Sequence, residues 1–396
     1  MPRNVIFCAL LIGVAMWAPI FCVPPMELII KEHLLLTHTQ TSLLLSTPLL
    51  MLVVTAIPAG LVSDRVGIKK TIGMGLIIMA AGAVLRSTAT DFISLLAYTS
   101  IFGFGFGWIF PNLPKLVSIY FGKDKANIGM GIVSSWMPLG TALGLAITVP
   151  VILPITGTYQ GVFLIWSIPT IIAVASWWIL IRQPYTDPRN IEQTSTYITS
   201  FRSAFSNRHL LLVAILMFIQ QFTSWGWNSW TPVMMMLKGA SPSLAGFIAS
   251  ITIWAILPTF LLVPRLSHRI GLRKPFLWVP SIVLAIAFWV AKYITINTSW
   301  FLMALVGVAA GTRFTTLMSL PLELTHKSEA GMVSGMLLSI GFAGGVIGPL
   351  IGGRVLDTTQ NLDLSLVVLM ITSLAATFIA LKVPETGPGR TTLIHR

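Results

Sequence analysis

One arginine lies deep within an apolar stretch of this sequence, where a charged side chain is costly and is therefore a candidate functional residue. Arg313 is near the middle of the apolar segment 299–324, with Thr315 and Thr316 close to it in the chain. A guanidinium is planar and permanently charged, so it can make two parallel hydrogen bonds to a carboxylate or a similar anion. We expect Arg313, helped by Thr316, to bind a small anionic substrate. The alternative is a structural role, in an ion pair or in hydrogen bonds to backbone carbonyls.

The apolar segment 208–237 carries a stripe of polar and aromatic side chains. They recur at the spacing of one helix face, which is typical of a helix that turns this face toward a polar cavity: Gln220, Ser224, Trp227, Asn228 and Thr231. We expect the first four of these side chains to contact the substrate together with Arg313. A role in packing alone is the alternative.

Other polar groups lie nearer the ends of apolar segments. Asn112 and Lys115 are in segment 93–121, and we expect them to line the inner mouth of an anion path, unless Lys115 extends its ammonium to the membrane interface. Glu27 and Glu323 are candidates for exchanging a coupling proton with water. An ion pair with a neighbouring cation, or simple exposure, is the alternative for both acids.

All of these residues must be positioned by helices within a membrane. Hydrophobic residues make up 55% of the 396 residues, more than one water-facing globule can bury. A spanning helix needs about 20 mostly apolar residues. Twelve such segments follow one another, at 4–30, 40–62, 71–90, 93–121, 127–153, 160–182, 208–237, 243–266, 275–295, 299–324, 330–352 and 362–383. Because these runs are too long for barrel strands, the sequence predicts an all-α integral membrane protein with twelve transmembrane helices.

The formal net charge of +13 indicates membrane topology rather than nucleic-acid binding, because of where the charges lie. Most lysines and arginines fall in alternate connections, on the side that holds both termini. The other side has only Lys31, Arg86, Lys238, Lys292 and Arg354. Basic loops stay in the cytoplasm during insertion, so we expect a multi-pass protein of the inner (plasma) membrane with both termini cytoplasmic.

Two stretches of the sequence match at a fixed offset of 204 residues, GLVSDRVGIKK at 60–70 and PRLSHRIGLRK at 264–274. The same offset pairs five further glycines of the first half with five of the second: Gly103 with Gly307, Gly107 with Gly311, Gly131 with Gly335, Gly140 with Gly344 and Gly144 with Gly348. Such small residues should let neighbouring helices pack closely. The repeat predicts two six-helix bundles related by pseudo-twofold symmetry, at 1–182 and 208–396, the second with a short cytoplasmic tail, joined by a cytoplasmic linker at 183–207.

The charged loop at 60–70 resembles a signature of the major facilitator superfamily, whose members carry it between helices 2 and 3. The matching residues are Gly60, Asp64, Arg65, Gly67, Lys69 and Lys70. The resemblance covers the whole chain and implies the major facilitator fold, with a central site that opens to one side of the membrane at a time. It also implies that the loop controls the inner gate, through Gly60, Asp64, Arg65, Gly67 and Lys70, with Arg269 in the second copy. The alternative is a cluster of basic residues that only orients the helices.

Within this loop we expect Gly60 to let a neighbouring helix approach closely, and Asp64 to face a helix N-terminus. In the second copy, Pro264 and His268 replace the first glycine and the aspartate, so a weaker contact is expected there.

Two further stretches resemble the cyanate and nitroimidazole permease branch of the superfamily: VPPMELI at 23–29, and the order of glutamines, tryptophans and Trp-x-Pro within 220–232. The sequence thus predicts a secondary active transporter that moves a small anionic or polar solute by alternating access, coupled to a gradient of protons or of another ion. An exporter of hydrophobic compounds and a non-transporting membrane sensor are the alternatives. Phosphate-binding loops and paired metal ligands are missing from the sequence, so we expect no enzyme activity, cofactor or metal. The expected partners are a small-molecule substrate, the lipid bilayer and the coupling ion, for a monomeric protein.

Overall fold

The structure, a computed structural model, describes residues 3–121, 126–182, 207–325 and 330–387. In this part of the chain the regular structure is helical, and no strand is present. The α-helices, numbered in chain order, are α1 Arg3–Phe21, α2 Glu27–Leu34, α3 His38–Val66, α4 Ile68–Leu85, α5 Phe92–Ile109, α6 Leu113–Phe121, α7 Ala126–Ile147, α8 Leu153–Thr156, α9 Tyr159–Leu180, α10 Arg208–Leu237, α11 Pro242–Ile270, α12 Pro275–Val290, α13 Ile296–Leu324, α14 Ala330–Thr359 and α15 Leu362–Lys382.

Eleven helical spans among the described residues are long and apolar enough to cross a bilayer, and α12, with 16 residues, is a shorter apolar helix. Two of the spans consist of two α-helices joined by a 3-10 turn: α1 and α2 form Asn4–Leu34, and α5 and α6 form Phe92–Phe121. These spans, together with α12, fall on the twelve predicted segments. The helix of the ninth segment is shorter than predicted, because α12 ends at Val290, before the predicted end near 295.

Proline explains both composite spans. Proline has no N–H to donate to the preceding helical turn, so it interrupts the helix. In the first span the Pro24-Pro25 pair ends α1, and a 3-10 turn over Pro24–Met26 leads into α2. In the other span Pro111 and Pro114 have the same effect, and a 3-10 turn over Phe110–Asn112 joins α5 to α6.

The chain forms two compact units. The first unit comprises the described residues within 1–191 together with 231–250, and the second comprises those within 192–230 together with 251–396. Each unit has an apolar core of its own. The predicted linker at 183–207 lies, except for its last residue, outside the described residues.

The internal repeat recurs in the helix packing of each unit. In the first unit, a Cβ added to Gly107 would collide with Thr55 Oγ1 of α3; in the second unit, a Cβ added to Gly311 would collide with Thr259 Oγ1 of α11. These two pairs are related by the offset of 204 residues found in the sequence. Further glycines approach a neighbouring helix in the same way, Gly140 and Gly144 against α1, and Gly344 and Gly348 against α10. The predicted close packing at small residues is therefore confirmed at these positions.

Candidate functional site

Arg313 is the centre of a polar cluster in the second unit. Its side chain is only 1% exposed. The guanidinium donates from Nε to Gln220 Oε1 at 2.5 Å, from Nη2 to Thr223 Oγ1 at 2.8 Å and from Nη1 to Ser281 Oγ at 3.3 Å. All three acceptors are neutral, and the ion pairs among the described residues do not include Arg313. Its charge is therefore solvated by dipoles but not neutralised.

The three acceptors are held in place by hydrogen bonds of their own. Thr223 and Ser281 each donate their hydroxyl, at 2.8 Å, to a backbone carbonyl one helical turn earlier. Their oxygens are thereby left to accept from the guanidinium. Gln220 donates through Nε2 to Ser224 Oγ at 3.0 Å and to the Ala310 carbonyl at 3.3 Å, which fixes the direction of its Oε1. The guanidinium thus lies in a preformed cradle.

A small cavity of about 10 Å³ adjoins this cluster and has room for about one water molecule. Its polar lining comes from Thr223, Ser224, Trp227 and Asn228 of α10 and from Thr252 of α11, and apolar residues of α11, α12 and α13 supply the rest. The Oδ1 atom of Asn228 is buried and has no hydrogen-bond partner in the part of the chain that the structure describes. The stripe predicted on α10 therefore contains one residue that orients the arginine, Gln220, and three that face a cavity.

Thr316 was predicted to assist Arg313, but its hydroxyl bonds elsewhere. It donates to the Thr312 carbonyl at 2.9 Å, one turn earlier on the same helix. The hydroxyl partners of Arg313 are instead Thr223 on α10 and Ser281 on α12. Neither residue was predicted, because spacing along α13 does not reveal which side chains of other helices face Arg313.

Lys115 forms an ion pair with the predicted gate in the first unit. Its Nζ lies 2.6 Å from Asp64 Oδ1 and donates to Ser63 Oγ at 3.2 Å. Asn112 donates through Nδ2 to two backbone carbonyls, at 2.9 and 3.4 Å, beside the break between α5 and α6. Both residues were predicted to line an anion path. In the structure Lys115 of α6 pairs with the charged loop at 60–70 and Asn112 bonds beside the helix break, and their place on an anion path stays a prediction.

Two detailed predictions for the same loop are wrong. A Cβ on Gly60 would meet nothing within 4 Å, so this glycine is not at a close helix contact. Asp64 does not cap α4, whose N-cap is Gly67 without a side-chain bond, because its carboxylate binds Lys115 instead. Gly67 itself has a φ of +88°, a conformation that favours glycine, and it ends α3. The remaining predicted residues of the loop are exposed, Arg65 and Lys70.

The second copy of the loop has an ion pair made by a different arginine. Arg273 Nε lies 2.9 Å from Glu323 Oε1, and Arg273 also contacts Ser267, the equivalent of Ser63 in the first copy. Its backbone N–H donates to Glu385 at 2.6 Å. Arg269, the cation predicted for this gate, is exposed. Glu323 is therefore engaged in an ion pair, which was the stated alternative to proton exchange.

Glu27 is buried at the start of α2, with only 4% of its surface exposed. Its Oε1 accepts hydrogen bonds from His38 Nδ1 and from Thr41 Oγ1, each at 2.8 Å. Lys31 Nζ lies 2.8 Å from the other ring nitrogen of His38, Nε2. Glu27 thus belongs to a polar network through its Oε1 atom, with partners on α3 that the sequence did not identify.

Arg86 is a second buried arginine, which the charge pattern had counted only among the basic residues on one side of the membrane. It is 1% exposed, donates through Nη1 to the Pro19 carbonyl at 2.7 Å, and lies 4.1 Å from the centre of the Phe163 ring. The carbonyl is available because the Val23 N–H turns to Ile20, at 3.3 Å, where α1 ends. The signal in the sequence was Pro24, which has no N–H for the Ile20 carbonyl four residues earlier, so that the Val23 N–H bonds to Ile20 and leaves the Pro19 carbonyl without a backbone donor.

A family model described as Major Facilitator Superfamily matches residues 5–349. The chain belongs to this superfamily. Its relatives are transporters, so it is a multi-pass membrane transporter and not an enzyme. The resemblance seen in the loop at 60–70 is therefore confirmed.

Three superfamily relatives are similar along nearly the whole chain. An uncharacterized transporter, YycB, of Bacillus subtilis (strain 168) is 24% identical over 374 residues, covering 91% of this chain and 87% of its own. The 2-nitroimidazole transporter of Escherichia coli (strain K12) is 24% identical, covering 87% and 86%. The cyanate transport protein CynX of the same organism is 22% identical, covering 89% of each.

Solved structures of the superfamily share the fold. A bacterial homolog of the human lysosomal transporter Spinster, in an inward-facing and occupied conformation, has a TM-score of 0.80 at 15% identity and covers 96% of both chains. The same protein in an inward-facing and unoccupied conformation has a TM-score of 0.81 at 16% identity, covering 100% of this chain and 98% of its own. The predicted major facilitator fold is thereby confirmed.

Proposed function

We propose that this transporter carries a small anionic or polar solute across the inner (plasma) membrane by alternating access, coupled to an ion gradient. The observation that carries the proposal is Arg313, a buried cation whose three side-chain partners are all neutral. Burying a charge costs several kcal/mol unless a counterion offsets it. A bound anion would supply that counterion each time the site is filled. A carrier of uncharged hydrophobic compounds would gain nothing from such a residue.

The hydrogen-bonding capacity of the cluster supports a bidentate ligand. A guanidinium has five N–H donors, and three are used by Gln220, Thr223 and Ser281, which leaves one on each Nη atom. Two parallel donors of this kind match two lone pairs of a small anion. Because the acceptors are fixed by their own hydrogen bonds, the guanidinium is held ready before the solute arrives. We infer that Gln220 positions Arg313 rather than binding the solute.

The cavity beside the cluster supports a small polar solute rather than a large one. Its present volume is about that of one water molecule, so a larger solute must displace the lining side chains. The unpartnered Asn228 Oδ1 would accept a hydrogen bond from a solute N–H or O–H, and Ser224 lies at the same cavity. Cyanate, which one relative is named for, is a very small anion, and 2-nitroimidazole is a small planar molecule with an N–H.

We further propose that the Asp64–Lys115 pair and the Arg273–Glu323 pair hold the cytoplasmic gate, one in each half of the chain. Their serines, Ser63 and Ser267, are equivalent in the repeat, and each contacts the paired cation. In this scheme bundles at 1–182 and 208–396 rock about the solute, the linker at 183–207 and both termini are cytoplasmic, and the protein acts as a monomer. Breaking these ion pairs would accompany opening to the cytoplasm.

Uptake and binding measurements test this function together. The purified protein is reconstituted into vesicles and supplied with radiolabelled cyanate or 2-nitroimidazole, and thermal unfolding is followed with the same solutes. We expect at least one solute to be transported and to raise the melting temperature, since a ligand of the folded state stabilises it. Wild-type protein that transports a broad panel of small anions no faster than empty vesicles would refute the proposal.

A further inference from the structure

Three ionisable side chains form a buried chain of contacts between α2 and α3. The contacts run from Lys31 Nζ to His38 Nε2 and from His38 Nδ1 to Glu27 Oε1, each at 2.8 Å. Glu27 and His38 are 4% and 7% exposed. The Thr41 hydroxyl lies 2.8 Å from the same oxygen of Glu27. This network is separate from the Arg313 cluster and from both ion pairs of the proposed gate, so neither role accounts for it.

The contacts fix where the protons of this network lie. A lysine ammonium can only donate, so His38 Nε2 offers its lone pair to Lys31 and the ring proton sits on Nδ1, facing Glu27. The imidazole is then neutral, between one cation and one carboxylate. A second proton on the ring would point an N–H at the ammonium, which has no lone pair to accept it. While Lys31 keeps its place, the ammonium occupies the lone pair of the His38 ring.

The other carboxylate oxygen of Glu27 is available. Glu27 Oε2 is buried and has no hydrogen-bond partner among the described residues. We propose that Glu27 takes up the coupling proton at Oε2, with His38 and Lys31 as positioning residues. The proposal rests on the gradient-driven transport proposed above and names its coupling ion as the proton. The step is a simple protonation, in which an O–H bond of a hydronium ion breaks, a water molecule is released and one O–H bond forms at Oε2.

The titratable groups nearby do not compete for this role. On α2 itself, Glu32 is exposed, and the His33 ring packs edge-on against Tyr159 of α9 at 5.2 Å between ring centres. The Tyr159 hydroxyl donates to a backbone carbonyl at 3.1 Å. The described side chains of 136–156 include no titratable group, and α3 has none between His38 and Asp64. Among the described residues, His38 is thus the titratable group that contacts the acid, and Lys31 reaches it only through His38.

Protonation would loosen the connection between the two helices. With Glu27 ionised, the bond from His38 Nδ1 is charge-assisted, and such bonds are about twice as strong as neutral ones. A proton on Oε2 removes the charge and weakens this bond, which ties α2 to the first residue of α3. Because α2 follows the proline break, its position is less constrained by the rest of the first span. Proton uptake is thereby linked to movement of α2.

A matched pair of variants tests the proposal in reconstituted vesicles. Glu27→Gln keeps the shape and the Oε1 acceptor but cannot take up a proton, whereas Glu32→Gln changes an exposed acid on the same helix. With radiolabelled cyanate as the probe, we expect Glu27→Gln to retain exchange of internal for external solute. Its accumulation under an imposed pH gradient should fall to the level seen without a gradient. Glu32→Gln should keep both activities, and a Glu27→Gln protein that accumulates solute like the wild type overturns the proposal.

A second measurement needs no transport and so separates the two proposals. Infrared difference spectra of the purified protein at low and high pH should contain the C=O band of a protonated carboxyl group. That band should be absent in Glu27→Gln, present in Glu32→Gln and shifted in Glu27→Asp, which serves if the glutamine variant does not fold. A band that is unchanged in all variants overturns the assignment of the proton to Glu27. Failure of the wild type to exchange cyanate would count against the proposed solute, and the spectra would still decide the proton site.

Discussion

Replacing Arg313 with lysine or with glutamine should weaken the binding of a small anion in two measurable steps. Three of its N–H groups are used by neighbouring side chains, and two remain for an anion. A hydrogen bond to a charged group contributes about 1.5 to 3 kcal/mol. Arg313→Gln removes the charge and both bonds, a loss of about 3 to 6 kcal/mol. The corresponding increase in Kd is roughly two to four orders of magnitude.

Arg313→Lys should fall between the wild type and the glutamine variant. An ammonium has three N–H donors, and two of them are expected to replace the bonds to Gln220 and Thr223. One donor is left for the anion, so the expected loss is a single charged hydrogen bond, about 10- to 150-fold in Kd. This ranking of the Kd values distinguishes a bidentate site from simple attraction between charges, because attraction alone would leave the Kd of the lysine variant close to that of the wild type.

The assay is thermal unfolding of the purified protein with and without cyanate. At a concentration 100 times the wild-type Kd, a ligand stabilises the folded state by about 2.7 kcal/mol, whereas a variant that binds 100-fold more weakly gains about 0.4 kcal/mol. Arg354→Gln is the control, since Arg354 is an exposed arginine of α14 in the same unit. Full stabilisation of both Arg313 variants would refute the reasoning and move the anion site elsewhere.

Three further predictions concern the gate, the helix contacts and the first span. Asp64→Asn and Lys115→Gln should each slow exchange between inward- and outward-open forms in a site-specific labelling assay. They should change the free energy of unfolding by less than about 1 kcal/mol, because both side chains are partly exposed; equal exchange rates would remove their gating role. Gly107→Ala should lower the free energy of unfolding by about 1 to 3 kcal/mol, because the added methyl group collides with α3. Gly60→Ala is the control and should not lower it, because its methyl group enters open space. A thermal unfolding measurement in which Gly60→Ala is the less stable variant contradicts this packing. Arg86→Gln should cost about 1 to 3 kcal/mol in the same measurement, since a carbonyl of the first span loses its charged donor; unchanged stability would mean that the bond is dispensable.

The membrane helices and the repeat follow from patterns that lie along the chain. The length of each apolar run sets a span, and the fixed offset pairs glycines without any knowledge of tertiary contacts. The offset even relates the threonines that face these glycines, Thr55 at Gly107 and Thr259 at Gly311. Patterns of this kind are less informative at helix ends. The early end of α12 at Val290 is one example, because several residues beyond it are still apolar.

The partners of the candidate site residues could not be predicted in the same way. Periodicity indicates which side chains share a helix face, but not which neighbouring helix covers that face. Gly60 was therefore expected at a contact that does not exist. Lys115 is 51 residues from Asp64 in the chain, so the ion pair between them was not predicted and Lys115 was expected to line an anion path. Arg86 was missed for another reason: a basic residue near the end of an apolar run fits the rule for topology as well as it fits a buried role.

The break in the first span gives its two pieces different mechanical properties. The longer piece is fastened close to its end, where Arg86 holds the Pro19 carbonyl. The shorter piece, α2, has 8 residues and begins with Glu27, immediately past the proline joint. At 1.5 Å per residue it is a lever about 12 Å long. A small rotation at the 3-10 turn would move the C-terminal end of α2 by several times the displacement at its N-terminal end, while α1 keeps its place in the bundle.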